Sequence, residues 1–600
     1  MRVTDREYWE EFFMKKRNLA VAFLMTITLA ACGPQVASRG TLAGHVVTSG
    51  EVTPTPTQAP HYSQREINAR IKEVGERYDG LYSCDYEYSN GGMMMFSATV
   101  CTEECDAAAV SGATTQSISN GNTGYVGVTH DVDWNTENYN AIKESGFVSV
   151  NTQPFSTFGA DVDTAVYSNF RRSVYQNDGF GISGDAIRIE EMVNYFNYDY
   201  AKPADGEKFG VVTSVTPCPW NDDTLLLRVG VRAEEVAPEK GSNIVFLIDT
   251  SGSMFNNNKL PLTQEAFKTL QAELTQNDTV SIVTYAGTCE VALEGARGDE
   301  HQKIIDAIDD LEAYGSTNGE GGIKKAYEIA EKYFIEGGNN RVILATDGDL
   351  NVGVSSESGL IELIEDEKES GVFLSCLGFG EGNYQDDKME ALADHGNGNY
   401  AFVDCSAEAE RVLKDEMWST LYTVAKDVKF QVEFNPAQVK GYRLVGYENR
   451  AMAAEDFADD TKDGGEVGSD QCVTVLYEVA LNDSAFEIPG VDSRYGNDTV
   501  STDNGDELLA VNIRYKEPDG NTSELRTYPV TKDMISDTMD NDTSWAAGVA
   551  QFGMLLRDSE YAGTSTYDDI IDRLKQDPKV MTDDFRAEFL YIAEKVAENN

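Results

Sequence analysis

Asp249, Ser251 and Ser253 stand at alternate positions in Asp249-Thr250-Ser251-Gly252-Ser253, directly after the apolar run Ile244-Val245-Phe246-Leu247-Ile248. The run is short, continuous and partly β-branched, which predicts a strand buried on both faces, the kind found in parallel sheets. Open α/β sheets bind ligands in the crevice beyond the carboxyl ends of their strands, and Asp249 falls at such an end. One carboxylate and two hydroxyls converging there suit a hard cation, Mg²⁺ first, with Mn²⁺ or Ca²⁺ as substitutes, because such ions prefer oxygen ligands and keep some waters. The hydroxyls are neutral, so a bound ion keeps net positive charge and an exchangeable position. Such a site is suited to receive an acidic group from another molecule.

Taken alone, the pattern is also what ordinary helix capping requires, since Asp and Ser at a strand-to-helix turn accept hydrogen bonds from first-turn amides. Two further segments weigh against that reading. Gly315-Ser316-Thr317-Asn318-Gly319 precedes a helical stretch and offers a third hydroxyl, Thr317. Arg341-Val342-Ile343-Leu344-Ala345-Thr346-Asp347-Gly348 is a second buried-strand pattern that ends in an acid. Asp249, Ser251, Ser253, Thr317 and Asp347 thus form one candidate metal set, drawn from three strand-to-helix junctions.

In that order and chemistry the set resembles the metal-ion-dependent adhesion site of von Willebrand factor type A domains. The resemblance implies that the hydroxyls and one Asp contact the metal and that some acids act through water. It also implies that a protein partner's Glu or Asp completes the octahedron. Glu320 departs from the pattern: a third acid near Thr317 would weaken the ion's pull on an acidic partner, although an acid there also suits a helix N-terminus.

A second resemblance, to bacterial lipoproteins of the YfbK type, runs from about residue 136 to the end. It is carried by the segments 161–172 and 186–196, by Thr216-Pro217-Cys218-Pro219-Trp220-Asn221 and by Asn258-Lys259-Leu260-Pro261-Leu262. Ser281-Ile282-Val283-Thr284-Tyr285-Ala286-Gly287, Gly396-Asn397-Gly398-Asn399-Tyr400 and Ile513-Arg514-Tyr515-Lys516-Glu517-Pro518-Asp519-Gly520 continue the series.

The elements that must position the candidate site alternate as a doubly wound α/β fold requires. Strand signals fall near 243–249, 279–285, 341–347, 372–378 and 399–403, with helical stretches between. Residues 208–235 and 427–530 are β-rich instead, with turns at Gly, Asn and Asp. As the YfbK type implies, they form one β-sandwich assembled from both sides of the A domain. The fold class expected is therefore α/β, a mostly parallel, doubly wound sheet of von Willebrand A or Rossmann-like type set beside a β-sandwich, with flanking helical segments.

In the segment before the sheet, Asp161 and Asp163 read as caps of the helix that follows. Ile189, Met192, Val193 and Phe196 are spaced as a buried helical stripe. Trp545, Val549, Phe552, Leu555 and Leu556 define another near the C-terminus. The boundaries read as a signal peptide over 1–31, a flexible linker over 32–79, with a short helix from Arg65 to Tyr78, and a Gly/Ser/Thr/Asn-rich region over 80–135. A family N-terminal region with the first sandwich strands follows over 136–240, then the A domain over 241–425 and a β-rich, then helical, domain over 426–600.

The signal-peptide reading rests on three features. Met14-Lys15-Lys16-Arg17 is a basic start, Leu19 to Leu29 is apolar but too short to span, and Leu29-Ala30-Ala31-Cys32-Gly33 resembles the bacterial lipoprotein cleavage box. Residues 1–13 are acidic and aromatic, which points to Met14 as the true start. Cys32 would then carry the lipid and hold the protein, outside the cytoplasm, on the bacterial cell membrane or outer membrane.

The net charge of −54 argues against nucleic acid as a partner, since phosphate binding needs clustered Lys and Arg. Of the other eight cysteines, Cys84, Cys101 and Cys105 are the best disulfide candidates in an exported chain, while Cys376 lies in a buried-strand pattern and reads as a core thiol.

Three functions compete. The leading one is a non-enzymatic envelope lipoprotein that binds a protein partner through its metal. A Mg²⁺-dependent phosphatase of haloacid-dehalogenase type also places an Asp after its first strand, but that chemistry needs a second Asp two residues on, where this chain has Ser251. A structural lipoprotein without metal leaves five competent oxygen donors unexplained. The five histidines include no His-Glu-x-x-His pair, and Gly319-Glu320-Gly321-Gly322 lacks the spacing of a dinucleotide loop.

Overall fold

The computed structural model describes residues 62–82, 85–88, 94–97, 142–160, 163–177, 183–236, 240–348, 357–368, 370–380, 386–417, 419, 422–462, 464–488, 505–518, 520 and 522–599. Cys32, Cys84, Cys101, Cys105 and Asp161 lie outside them. So do the signal peptide and residues 32–61 of the linker.

The sheet that carries the candidate site has six strands: β1 (Ser242–Asp249), β2 (Thr279–Tyr285), β3 (Cys289–Arg297), β4 (Asn339–Thr346), β5 (Phe373–Phe379) and β6 (Tyr400–Val403), in the order β6-β5-β4-β1-β2-β3. All neighbours are parallel except β2 and β3. Helices α1 (Leu260–Glu273), α2 (His301–Asp309), α3 (Gly319–Lys332), α4 (Glu357–Lys368) and α5 (Asp386–His395) connect them. Every residue of β1 is buried, because apolar side chains cover both faces of the sheet. Ile244, Phe246 and Ile248 pack with Phe267 and Leu270 of α1 on one side. Val245 and Leu247 pack with Ile323 and Tyr327 of α3 on the other. Strand order reverses at β1, so the crevice of this sheet opens at Asp249.

Two antiparallel sheets form a sandwich beside this unit. One runs Val148–Ser149, Val439–Val445, Cys472–Leu481, Leu225–Ala233, Phe209–Pro217. The other runs Ala451–Met452, Phe155–Gly159, Thr423–Phe434, Glu507–Lys516, Ser523–Thr531. Each sheet takes strands from both sides of the β1–β6 segment, and their inner faces share one apolar cluster around Val229, Phe430, Val475 and Val511.

A helical layer completes the fold. Trp545, Val549 and Phe552 are fully buried against Phe196, Phe589 and Ile592, and Leu555 and Leu556 lie at its edge. Here the structure corrects two expectations. The short helix expected over Arg65 to Tyr78 is present and longer, Gln64–Tyr82, but it is no part of a flexible linker: its Ile67, Ile71, Val74 and Tyr78 are buried against the C-terminal helix Asp584–Asn599. Their spacing puts all four on one face, and Arg70 and Arg77 reach Asp584 beside it. Asp163 is no helix cap either. Its Oδ1 accepts from the Tyr400 amide at 3.2 Å and its Oδ2 from Arg450 Nη2 at 3.0 Å, while Glu191 Oε2 accepts the helix amide of Val166 at 3.1 Å. The capping reading failed because both partners of Asp163 are more than two hundred residues away.

Cys376 is fully buried on β5, where burial pushes its thiol well above the usual range. Among the described residues no helix is long and apolar enough to cross a membrane.

Candidate functional site

Three loops meet at the carboxyl ends of β1, β2 and β4. The first leaves β1 at Asp249 and turns through the short 3-10 segment Gly252–Phe255. The Ser251 amide donates to Asp249 Oδ1 at 2.8 Å, which folds the turn back on the carboxylate. The second loop carries Thr317. Tyr314 N donates to Thr250 O at 2.8 Å and Gly252 N to Gly315 O at 3.0 Å, so backbone bonds lace it to the first. Gly315 has φ +84°, a left-handed conformation that a side chain would strain. Asn318 then anchors the loop by donating its amide to Ala286 O at 2.8 Å and caps α3 by accepting from Gly321 N. The third loop follows β4, where Thr346 Oγ1 donates to Asp249 Oδ2 at 3.0 Å and accepts from Gly348 N at 3.2 Å. Asp347 sits between these two residues.

Asp249 and Asp347 are wholly buried, Ser251 and Thr317 nearly so, and Ser253 is half-buried. Burial pushes the Asp249 carboxyl up to about 7, and the charge of Asp347 pushes the same way; the Ser251 and Thr346 hydrogen bonds offset only part of this. Two carboxylates brought out of water side by side call for positive charge. Lys259 supplies one unit, donating from Nζ to Asp347 Oδ2 at 2.8 Å.

The two serine oxygens have the spacing of neighbouring ligands on a hard divalent ion. Ser251 Oγ and Ser253 Oγ are 3.0 Å apart. Ligands about 2.1 Å from Mg²⁺ and at right angles stand about 3.0 Å from each other. Among the described residues no three His, Cys, Asp or Glu cluster in a way that could hold a metal. Glu320 lies in the first turn of α3 and pairs with Lys324 at 2.7 Å along the helix.

Around the site the surface changes character. Phe255 and Tyr314 are 60% and 56% exposed, one on each of the first two loops. Beside Tyr314 a cleft of about 430 Å³ is lined by Thr250, Glu290, Lys303, Asp306 and Asp310 among others.

Thr346 and Lys259 were not among the residues singled out for the metal. Thr346 is a plain strand residue in sequence, and its role becomes visible only when β4 and β1 pair. Lys259 had a signal, a basic residue soon after the Asp-x-Ser-x-Ser turn in an otherwise uncharged loop.

The family model for the von Willebrand factor type A domain matches residues 243–415, the model for the C-terminal part of the uncharacterized protein YfbK matches 419–598, and a further von Willebrand factor model matches 133–228. YfbK of Escherichia coli is 39% identical over 478 residues, spanning 78% of this chain and 82% of its own. Human inter-alpha-trypsin inhibitor heavy chain H3 is 28% identical over 187 residues, 30% of this chain and 21% of its own. Among solved structures, a von Willebrand factor type A protein from Catenulispora acidiphila aligns with 59% of this chain and 80% of its own at 16% identity and a TM-score of 0.35. With a type A domain and the YfbK C-terminal region in one continuous match, this chain belongs to the YfbK family of von Willebrand factor type A domain proteins.

Proposed function

We propose that this chain is an envelope lipoprotein, anchored through a lipid on Cys32, that binds a protein partner through a divalent ion, Mg²⁺ or Mn²⁺. Asp249, Ser251, Ser253, Thr317 and Asp347 would hold the ion, which when bound offers a Lewis-acidic position to a partner's Asp or Glu. The single observation that carries this reading is the meeting of two buried carboxylates with a Ser251–Ser253 oxygen pair spaced 3.0 Å apart. The exposed rings of Phe255 and Tyr314 support a protein as the partner, since aromatic side chains beside a polar anchor are the usual composition of binding hot spots. In this reading no residue has a catalytic role.

The test is affinity capture from envelope extracts by the full chain, in Mg²⁺ and in EDTA. A partner should be retained in Mg²⁺ only, and Thr317→Ala should lose it while keeping the fold, because backbone hydrogen bonds at Tyr314, Gly315 and Asn318 hold this loop independently of the Thr317 side chain. Retention that ignores both EDTA and Thr317→Ala would overturn the reading. The phosphatase alternative predicts Mg²⁺-dependent hydrolysis of phosphate esters that Asp249→Asn abolishes, and a screen against generic esters separates the two.

A further inference from the structure

Lys259 is nine-tenths or more buried, although nothing in its chemistry favours burial. It is the residue before α1, where its amide donates to Asn256 O and its carbonyl accepts from Thr263 Oγ1, so its backbone is fixed independently of its side chain. The side chain runs past the end of β5 to Asp347. Gly380, with φ +83°, makes room for it: a Cβ there would overlap the Lys259 methylenes. Arg172 Nη1 donates to the Gly380 carbonyl at 3.5 Å. The missing side chain at Gly380 therefore leaves room for this lysine, whose amine ends on one of the five candidate metal ligands.

We propose that Lys259 is a resident counter-cation of the metal site, which carries the charge of Asp347 when no divalent ion is bound and competes with an arriving ion for that carboxylate. The inference rests on the ion-binding reading above. A fixed positive charge beside the site offsets part of the negative charge of the ligand set and repels the ion directly, so the ion is held weakly and exchanges readily. A neutral residue in its place takes the Lys259 charge away from the buried Asp347, a loss that a divalent ion makes good.

Mn²⁺ titration of the full chain by calorimetry tests this with wild type, Lys259→Met and Asp249→Ala. Lys259→Met should bind Mn²⁺ at least tenfold more tightly than wild type, and saturating Mn²⁺ should raise its melting temperature by more. Wild-type binding that Asp249→Ala removes, with equal or weaker binding by folded Lys259→Met, overturns this inference and leaves the ion reading intact. Absence of Mn²⁺ binding by both wild type and Lys259→Met overturns the two together. If Lys259→Met does not fold without metal, Lys259→Gln, which keeps a hydrogen-bond donor but no charge, carries the same comparison. Folding of Lys259→Met that is restored by Mn²⁺ supports the proposal.

Discussion

Arg171 holds Asp404 through a two-pronged contact, Nε to Oδ2 at 2.9 Å and Nη2 to Oδ1 at 2.6 Å, with neither side chain open to solvent. Arg171 lies on the helix Ala165–Asn177 and Asp404 directly follows β6, so this pair ties the helical layer to the edge of the parallel sheet. The same guanidinium reaches Glu408 at 2.7 Å and Tyr195 Oη at 2.8 Å. Glu408 is also held by Arg411. Burial alone would raise the Glu408 carboxyl, but Arg411 and Arg171 together pull it down to about 2. Each guanidinium here meets buried carboxylate oxygens, so a variant that removes one member leaves its partners buried without their counter-charge.

Arg171→Met should therefore destabilise the protein by about 3–5 kcal/mol, the range for breaking a buried ion pair from one side. A drop in melting temperature should accompany unchanged far-ultraviolet dichroism at low temperature. A variant that melts like wild type would show that the sheet and the helical layer do not depend on this contact.

Mg²⁺ should stabilise the wild type through linkage, by about 2.7 kcal/mol once the ion is at a hundred times its dissociation constant. Thermal melts in Mg²⁺ and in EDTA, for wild type and Asp249→Ala, measure it. Asp249→Ala should lose the response, because the carboxylate that orders the Ser251 turn is gone. Equal responses in the two proteins would place any bound ion somewhere else.

How much of this was legible in the sequence depended on how far apart the interacting residues stand. Strands β1, β2, β4, β5 and β6 were readable because each is a local run of apolar residues, and their ends matched the pattern to within two residues. β3 was not, since Cys289–Arg297 is half-exposed at the sheet edge and its charged residues interrupt any apolar run. Four of the five candidate oxygens, on Asp249, Ser251, Ser253 and Asp347, stood out because they follow strand ends. Thr317 instead lies on the loop between α2 and α3 and comes beside them only through that loop's backbone bonds to the first loop. Lys259 and Thr346 act across the crevice, and one-dimensional spacing has no term for that. The docking of Gln64–Tyr82 was hidden for the same reason: its stripe of Ile67, Ile71, Val74 and Tyr78 makes sense only opposite a helix five hundred residues later.

Stability should fall as pH rises through neutrality. Burial raises the Glu588 carboxyl to about 7, with Arg171 and the Tyr167 hydroxyl offsetting part of the effect. Glu190 is raised to about 7 by burial and by Glu448 and Glu191. An acid whose folded pKa lies above its unfolded value of 4.5 binds more protons in the folded state between the two. Its contribution is complete below about 4.5 and is lost as pH climbs past about 7. Glu588→Gln mimics the protonated form, so its melting temperature should match wild type near pH 5 and exceed it at pH 8. The gain is capped at about 3 kcal/mol by the size of the shift. A Glu588→Gln protein with the wild-type slope would mean that Glu588 does not titrate in this window.

Lipid on Cys32 should be the means by which the chain is held at a membrane. The apolar stretch Leu19 to Leu29 is too short to span, and the small residues Ala30 and Ala31 lead directly to Cys32, as cleavage before an acylated cysteine requires. One acyl chain anchors a protein only marginally and two do so stably, so diacylation should be required for retention. Metabolic labelling with a fatty-acid analogue should mark wild type, whereas Cys32→Ser should stay unlabelled and either accumulate unprocessed or appear in the soluble fraction. Wild type without label, or Cys32→Ser that still fractionates with membranes after processing, would rule out the anchor and leave the metal site to be explained in a protein held some other way.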